Sequence, residues 1–431
     1  MRATRIPKTP LFGLALALAA GLCPAALAGV ESETVTFTKH VARILQNNCQ
    51  DCHHPNGIAP MTLQSYRQVK GWAKMIREVV DTKRMPPWHA SPEYGHFSND
   101  RSMAQTDADM LMSWIDNGMP QGDPADMPAP KTYNDEWRID EPDVVLTMPE
   151  EVHIEPSGVM PYENIEIPTG FEEDKWVTQI DIRAGNPKVV HHVLVYARAP
   201  EHQEQEMGEF LRLGRGFIAG YAPGTVPVIL DGTRAIKIPK GANLIFQMHY
   251  TPTGKPEVDR SSIGLKFAEK APEFEDLTAT TINFDFKIPP HADNHEVVAD
   301  IEFPKSALLY SMTPHMHYRG KGFTYTAKYP DGTEEILLDV PRFDFNWQTS
   351  YVLETPRYIP AGTVLHTVAH FDNSANNPAN PDPSKPVRWG DQTWEEMMIG
   401  WMTISWLSPE QETKFASLDG YKPQPNVAQS K

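Results

Sequence analysis

Forty prolines in 431 residues, against a usual share of about 5%, set the first limit on this chain. Each proline removes a backbone donor and collides with the preceding helical turn, so long uninterrupted helices are excluded over most of the length. Short strands and turns remain. Hydrophobic residues make up 40% and charged residues 22%, with a mean hydropathy of −0.45. That is enough apolar material for packed cores and too polar for a polytopic membrane protein. At roughly 150 residues per domain, the length suggests about three domains.

Apolar periodicity divides the chain. From Val35 to Met119 it is helical: Val41, Ile44 and Leu45 share a face leading into Cys49. Val69, Trp72, Ile76, Val79 and Val80 form a second face, and Leu111, Trp114 and Ile115 a third behind a Thr106 cap. Residues 121–131 are Pro-rich and polar, an extended linker. Beyond it, apolar and polar residues alternate, which predicts strands over Val177–Ile182, Val189–Tyr196, Asn243–Tyr250, Ile282–Ile288, Phe323–Tyr329 and Val364–His370. The expected fold class is a small all-α domain followed by two tandem antiparallel β-sandwich domains. Its boundaries are a signal peptide over 1–28, a haem domain over 35–120, sandwiches over 132–277 and 278–415, and a flexible tail over 416–431. A weak internal repeat supports the pairing of sandwiches. Ile238-Pro239-Lys240-Gly241 stands 11 residues before His249, and Ile359-Pro360-Ala361-Gly362 stands 11 before His370.

At the N-terminus, Arg2, Arg5 and Lys8 precede an apolar run from Leu11 to Leu22 and a small-x-small site, Ala26-Leu27-Ala28. The run falls short of the ~20 residues that span a bilayer. A cleaved signal is expected, giving a periplasmic or secreted product with no membrane insertion afterwards. The formal charge of −17 falls to −20 once the signal's three basic residues leave. Such a surface repels phosphate backbones and anionic lipid, so nucleic acid is not an expected partner. A basic external electron donor suits it better, and solubility alone also accounts for it.

Cleavage removes Cys23 and leaves Cys49 and Cys52. Cys49-Gln50-Asp51-Cys52-His53 is C-x-x-C-H, in which two thiols add to the haem vinyls and the next histidine reaches the iron. Met85 is the preferred sixth ligand, because Pro86 and Pro87 hold the chain extended after it. Met61, Met103, His89 and His96 compete. The stretch from Asn48 to Trp114 resembles a class I cytochrome c domain.

A second constellation comprises His191-His192, His249, His315-x-His317 and Met397-Met398. Strand residues two apart face the same side, so His315 and His317 form a two-pronged grip. His191 and His192 face opposite sides of a regular strand and share an ion only if a bulge intervenes or one ring binds through its other nitrogen. Imidazole suits copper and zinc alike, and an added thioether favours copper.

In order along the chain, His191-His192, Phe246-Gln247-Met248-His249-Tyr250, the run from His315 to Lys321, and Glu395-Glu396-Met397 resemble the copper type II ascorbate-dependent monooxygenases. This family includes dopamine beta-monooxygenase and peptidylglycine alpha-hydroxylating monooxygenase. The resemblance runs from Glu151 to Ser408 and implies tandem jelly-roll sandwiches facing each other across a solvent cleft. It implies two copper ions: an electron-transfer copper on His191, His192 and His249, and a dioxygen-binding, catalytic copper on His315, His317 and Met397. The implied reaction is hydroxylation of a C–H bond of a small organic substrate with O2.

Three features depart from the family pattern: no cysteines remain for disulfides, Thr313 stands where amidating members carry an arginine, and His370 competes with Met397. The fused haem is the expected local reductant, feeding the His191, His192 and His249 copper. Two alternatives stand beside this reading. One is a periplasmic haem and copper electron-transfer or copper-binding protein without hydroxylation. The other is a structural tandem sandwich whose histidines are satisfied by backbone carbonyls. Trp394, Tyr318 and Phe345 are candidate pocket-lining residues.

Overall fold

The computed structural model describes residues 34–55, 57–133, 137–207, 216–222 and 225–418. The expected signal peptide and the end of the expected tail, from residue 419, lie outside them. Helix α1 spans Ala42–Asn48, α2 Tyr66–Asp81, α3 Gln105–Asp116 and α4 Pro409–Ala416. Ser65 starts α2 through a reciprocal capping box with Gln68, which satisfies two amide donors that have no partner within the helix. Val69, Ala73 and Ile76 turn inward from α2, whereas Trp72 is 42% exposed, off the face expected for it. The α3 cap is Ala104 rather than Thr106. Among the described residues no helix is long and apolar enough to cross a membrane.

Four larger sheets carry most of the chain. Sheet I runs Val144–Thr147, Ser262–Phe267, Lys175–Arg183, Arg234–Ile238 and Phe274–Glu275, with Val228–Ile229 beside Lys175–Arg183. Sheet II runs Glu163–Pro168, Asn243–Tyr250, Val190–Arg198 and Phe217–Tyr221. Sheet III runs Leu277–Ile282, Ile399–Trp406, Ala307–His315 and Tyr351–Ile359. Sheet IV runs His295–Glu302, Val364–Phe371, Gly320–Lys328 and Glu334–Val340. Within each, the strand latest in the chain among the first four lies between the earliest and the second. The internal repeat is therefore topological. Its glycines, Gly241 and Gly362, both have positive φ, +69° and +81°, in turns closed by Ala242 N to Pro239 O and Thr363 N to Pro360 O. One core lies among residues of sheets I and II, with Val177, Val193, Phe246 and Leu265. Another lies among residues of sheets III and IV, with Leu309, Phe323, Met402 and Ala369.

The structure corrects the expected fold class. Among the described residues the body is a β-rich assembly of several sheets with few helices, and no free-standing all-α haem domain precedes it. The helices share a small cluster around Leu45, Val69, Leu111 and Trp114. The chain after α2, however, gives Trp88 and Phe97 to the core of sheets III and IV, and Phe97 forms a β-bridge with Leu353. Nor is the body a pair of purely antiparallel sandwiches. Phe274–Glu275 pairs parallel to Arg234–Ile238, and further two-stranded sheets stand apart. The expected strand Ile282–Ile288 is two elements, because Asn283 Oδ1 accepts from Asp285 N at 2.9 Å and turns the chain between Ile282 and Lys287.

Candidate metal centres

His191 and His192 lie on Val190–Arg198, beside Asn243–Tyr250. Val190 faces Tyr250 and His192 faces His249, with a register shift between Val190 and His192. The extra residue is His191, and this irregularity lets neighbours on the chain turn toward one point. Donor nitrogens of His191, His192 and His249 all lie within 4.8 Å of one another. The Nδ1 atoms of His191 and His192 are 3.2 Å apart. Metal–imidazole bonds of 2.0–2.1 Å set ligand nitrogens at most about 4 Å apart, so a small contraction completes a site.

Burial, then repulsion from His191, holds the His249 pKa down at about 4. Burial first, then the neighbouring histidines, lowers His192 well below the ordinary value, and burial lowers His191. These rings are neutral at neutral pH, with lone pairs available. His249 Nδ1 is buried without a hydrogen-bond partner, a state costing about 1–3 kcal/mol that a metal bond offsets. Tyr162 stacks on His249 at 4.8 Å between ring centroids.

His315 ends Ala307–His315, opposite Ile399. His317 stands two residues after His315, and Met397 two residues before Ile399. The His315 Nδ1–H donates to Gln348 Oε1 at 3.0 Å and the His317 Nδ1–H to Glu395 O at 3.3 Å, which leaves both Nε2 atoms as acceptors. Burial holds both histidines below their ordinary pKa, His317 at about 3. The Glu396 carboxylate accepts from His317 N at 2.8 Å and Arg319 N at 2.6 Å, while burial pushes its pKa up to about 8. Arg319 Nη1 lies 3.9 Å from the same carboxylate, and Arg319 Nε donates to Asn373 Oδ1. Met398 lies in the core of sheets III and IV, and Met397 beside it is half-buried just before the strand Ile399–Trp406.

Phe345 packs against both clusters. Its ring stacks on His191 at 5.8 Å and 18°, meets His317 edge-on at 6.0 Å and Tyr318 at 4.9 Å. Phe345 and Gln348 share one loop between Val340 and Tyr351. Of the candidate pocket residues, Phe345 and Tyr318 stand at the clusters, whereas Trp394 is 45% exposed. His370 lies mid-sheet IV, opposite Glu296 and Gly322. Among the described residues the one set of three histidines, cysteines or carboxylates drawn this close is His191, His192 and His249, so His370 does not join His315 and His317 in such a set.

In the C-x-x-C-H segment, Cys49 and Cys52 are free thiols. Burial pushes Cys49 up to about 12 and raises Cys52. His53 N donates to Cys49 O at 3.0 Å, turning the chain so that thiols and imidazole stay close. His53 Nδ1 lies 3.2 Å from Met61 O, which leaves Nε2 as the ligand atom. This donor set fits a covalently held haem. Met61 serves His53 through its carbonyl. Met85 N donates to Val79 O at 3.0 Å, Met85 being half-buried just past α2, and Met103 is half-buried before α3. His89 Nδ1 contacts Arg342 O at 2.8 Å, and His96 O accepts from Glu354 N. Both competing histidines are thus bound to the β body.

The sequence reading missed Gln348, the Glu396 carboxylate and the backbone carbonyl partners. Nothing local marks them, since Gln348 meets a histidine 33 positions away and Glu396 an amide 79 positions away.

No family model and no curated protein matches this chain. Solved structures give weak likenesses. The major capsid protein P2 of bacteriophage PM2 is 11% identical, covering 62% of this chain and 98% of its own, with a TM-score of 0.27. Allantoicase from Saccharomyces cerevisiae is 12% identical over 49% of this chain and 78% of its own, at 0.16. The VP2 subviral particle protein of infectious bursal disease virus is 9% identical over 67% and 87%, at 0.15. Likenesses this small transfer neither fold nor activity.

Proposed function

We propose that this chain is an exported copper-dependent monooxygenase that hydroxylates a C–H bond of a small organic substrate with O2, its electrons relayed by a haem on Cys49, Cys52 and His53. One observation carries the reading. Five imidazoles, His317 buried and His191, His192, His249 and His315 half-buried, stand in two clusters, and the Phe345 ring packs against both. When bound, copper and haem supply the one-electron and dioxygen chemistry.

The chain supplies placement. The irregularity at His191 gathers one donor set, which would hold the first copper. His315, His317 and Met397 would hold the second, with Gln348 Oε1 and Glu395 O fixing the ring tautomers. Glu396, accepting the amides of His317 and Arg319, clamps the segment that bears Met397. Phe345 and Tyr318, whose rings meet at 4.9 Å, would line the space for a substrate C–H bond.

The position of Phe345 also favours a second reading, an electron-transfer protein without substrate, because its ring packs against histidines of both clusters. Oxygen uptake separates the two. Haem-matured, copper-loaded protein is assayed with a one-electron reductant against a panel of small C–H substrates, and product is checked for an oxygen atom from O2. Uptake coupled to product, abolished in Met397→Ala with three-histidine copper retained, is the expected result. Full haem and copper occupancy without coupled uptake refutes the monooxygenase reading.

A further inference from the structure

We infer that the segment Thr82–Asn99 is a brace for the loop 341–350, and that His89 and Asn99 are positioning residues for the His315 ring. The inference rests on the reading of His315 and His317 as metal ligands given above.

Residues 341–350 run from Val340, at the end of an edge strand of sheet IV, to Tyr351, at the start of an edge strand of sheet III. The loop carries Gln348, whose Oε1 accepts from the His315 Nδ1–H at 3.0 Å, and Phe345, whose ring packs on His191 and His317. Gln348 Nε2 donates to Phe345 O at 2.8 Å, so the two move together. Loops are mobile unless tied down, and an amide that orients a ligand ring needs rigid support.

The brace holds this loop at both ends. At its start, Arg342 donates to Thr82 O at 3.1 Å and Lys83 O at 2.6 Å, and the His89 Nδ1–H donates to Arg342 O at 2.8 Å. At its finish, Asn99 Nδ2 donates to Ser350 O at 2.7 Å and Asn99 Oδ1 accepts from Val352 N at 3.0 Å. Between these points the brace spans the two edge strands, with Ser91 N donating to Asp339 O and Ser98 N to Val352 O. Trp88 and Phe97 meet Tyr351 edge-on at 4.9 Å and 5.6 Å. Phe343 N donates to Lys321 O at 2.9 Å, and its ring fits beside Gly320, where a Cβ would stand 2.7 Å from it.

His89 is 9% exposed, and its Nε2 is buried without a hydrogen-bond partner. An imidazole with one unmet nitrogen is a costly core filler. What it contributes is the bond to Arg342 O, which an apolar side chain of similar size cannot make. Ser350 lies two residues from Gln348, so the Asn99 bond acts on the same short stretch that orients His315. His317 supplies an internal contrast, because its Nδ1–H donates to Glu395 O, a carbonyl outside the loop.

The test uses the full chain, stripped of copper by a chelator and isotopically labelled in its histidine rings. Exchange of the His315 and His317 ring protons with solvent is followed by NMR, and His315→Asn and His317→Asn assign the two signals. Asn99→Asp keeps the acceptor for Val352 N and loses the donor to Ser350 O. His89→Leu loses the donor to Arg342 O, and His89→Asn restores one near the Nδ1 position. The expected result is exchange at His315 faster by about 2–30-fold in Asn99→Asp and His89→Leu, the range for residues that act through an intermediate. His89→Asn returns toward the unaltered rate, and His317 does not change. A variant that does not fold is replaced by Arg342→Gln, which loses its hold on Thr82 and Lys83. Equal acceleration at both rings marks a merely structural role and overturns the inference, as does an unchanged rate at His315. Copper(I) affinity is then measured by chelator competition. It falls at the second cluster in Asn99→Asp and His89→Leu and stays unchanged at the first, and an unchanged affinity at the second also overturns the inference. An unaltered protein that takes no copper on His315 and His317 refutes the functional reading instead, and ring exchange then decides the brace alone.

Discussion

Acidifying the copper-free protein from about pH 7.5 to about pH 5 tests the buried histidines directly through proton linkage. His317 is 2% exposed, and burial, reinforced by His315, lowers its pKa from 6.5 to about 3. At pH 5 the unfolded chain therefore binds almost one more proton at this residue than the folded chain does. Stability is full above the unfolded value of 6.5, falls as the pH drops below it, and levels off below about 3. The loss at pH 5 is about 2 kcal/mol for His317 alone, from its unfolded pKa. His191, His192, His249 and His315 shift in the same direction and add to it.

Against a total stability of about 5–15 kcal/mol, 2 kcal/mol moves the Tm by about 4–8 °C. The assay is thermal unfolding followed by circular dichroism with a chelator present. His317→Asn is the control, and it flattens the acid limb by about 1.4 kcal/mol per pH unit. Copper-loaded protein resists acid until its ligands protonate, because a ligand bound only by the folded state stabilises it. A Tm unchanged between these pH values, or an identical slope in His317→Asn, refutes the argument that these rings are buried neutral.

Three further outcomes follow from the same geometry. Gln348→Ala, which frees the His315 ring, lowers copper affinity at the second cluster by about 10–100-fold and leaves the first unchanged, as competitive chelator titration shows. Cys49→Ser/Cys52→Ser yields protein without covalently bound haem on a denaturing gel stained for haem. Arg234→Met leaves Asp276, 1% exposed at its side chain, without its two-pronged partner. It costs about 3–5 kcal/mol, read from denaturant unfolding.

Much of the local structure is legible in the amino-acid order. The predicted strand Asn243–Tyr250 is found with those bounds, because alternation is set by near neighbours. The proline-and-glycine turns before His249 and His370 are equally local. The split of Ile282–Ile288 was hidden by its apolar ends, although Asn283 and Asp285 carry the turn chemistry that makes it.

The remainder required the folded chain. C-x-x-C-H and H-x-H are recognisable because their chemistry lies within three to five consecutive residues. The adjacency of His191 and His192 posed a problem that only the pairing partner resolves, since the irregular register there lies between His192 and His249, 57 positions apart. Phe345 against both clusters, Arg342 on the end of α2 and His89 against the Arg342 carbonyl join segments up to 260 positions apart. Spacing and alternation carry no information about such meetings, because packing of distant apolar surfaces sets them. The amino-acid order thus determined which side chains are able to bind metal and haem, and the tertiary fold decided which of them face one another.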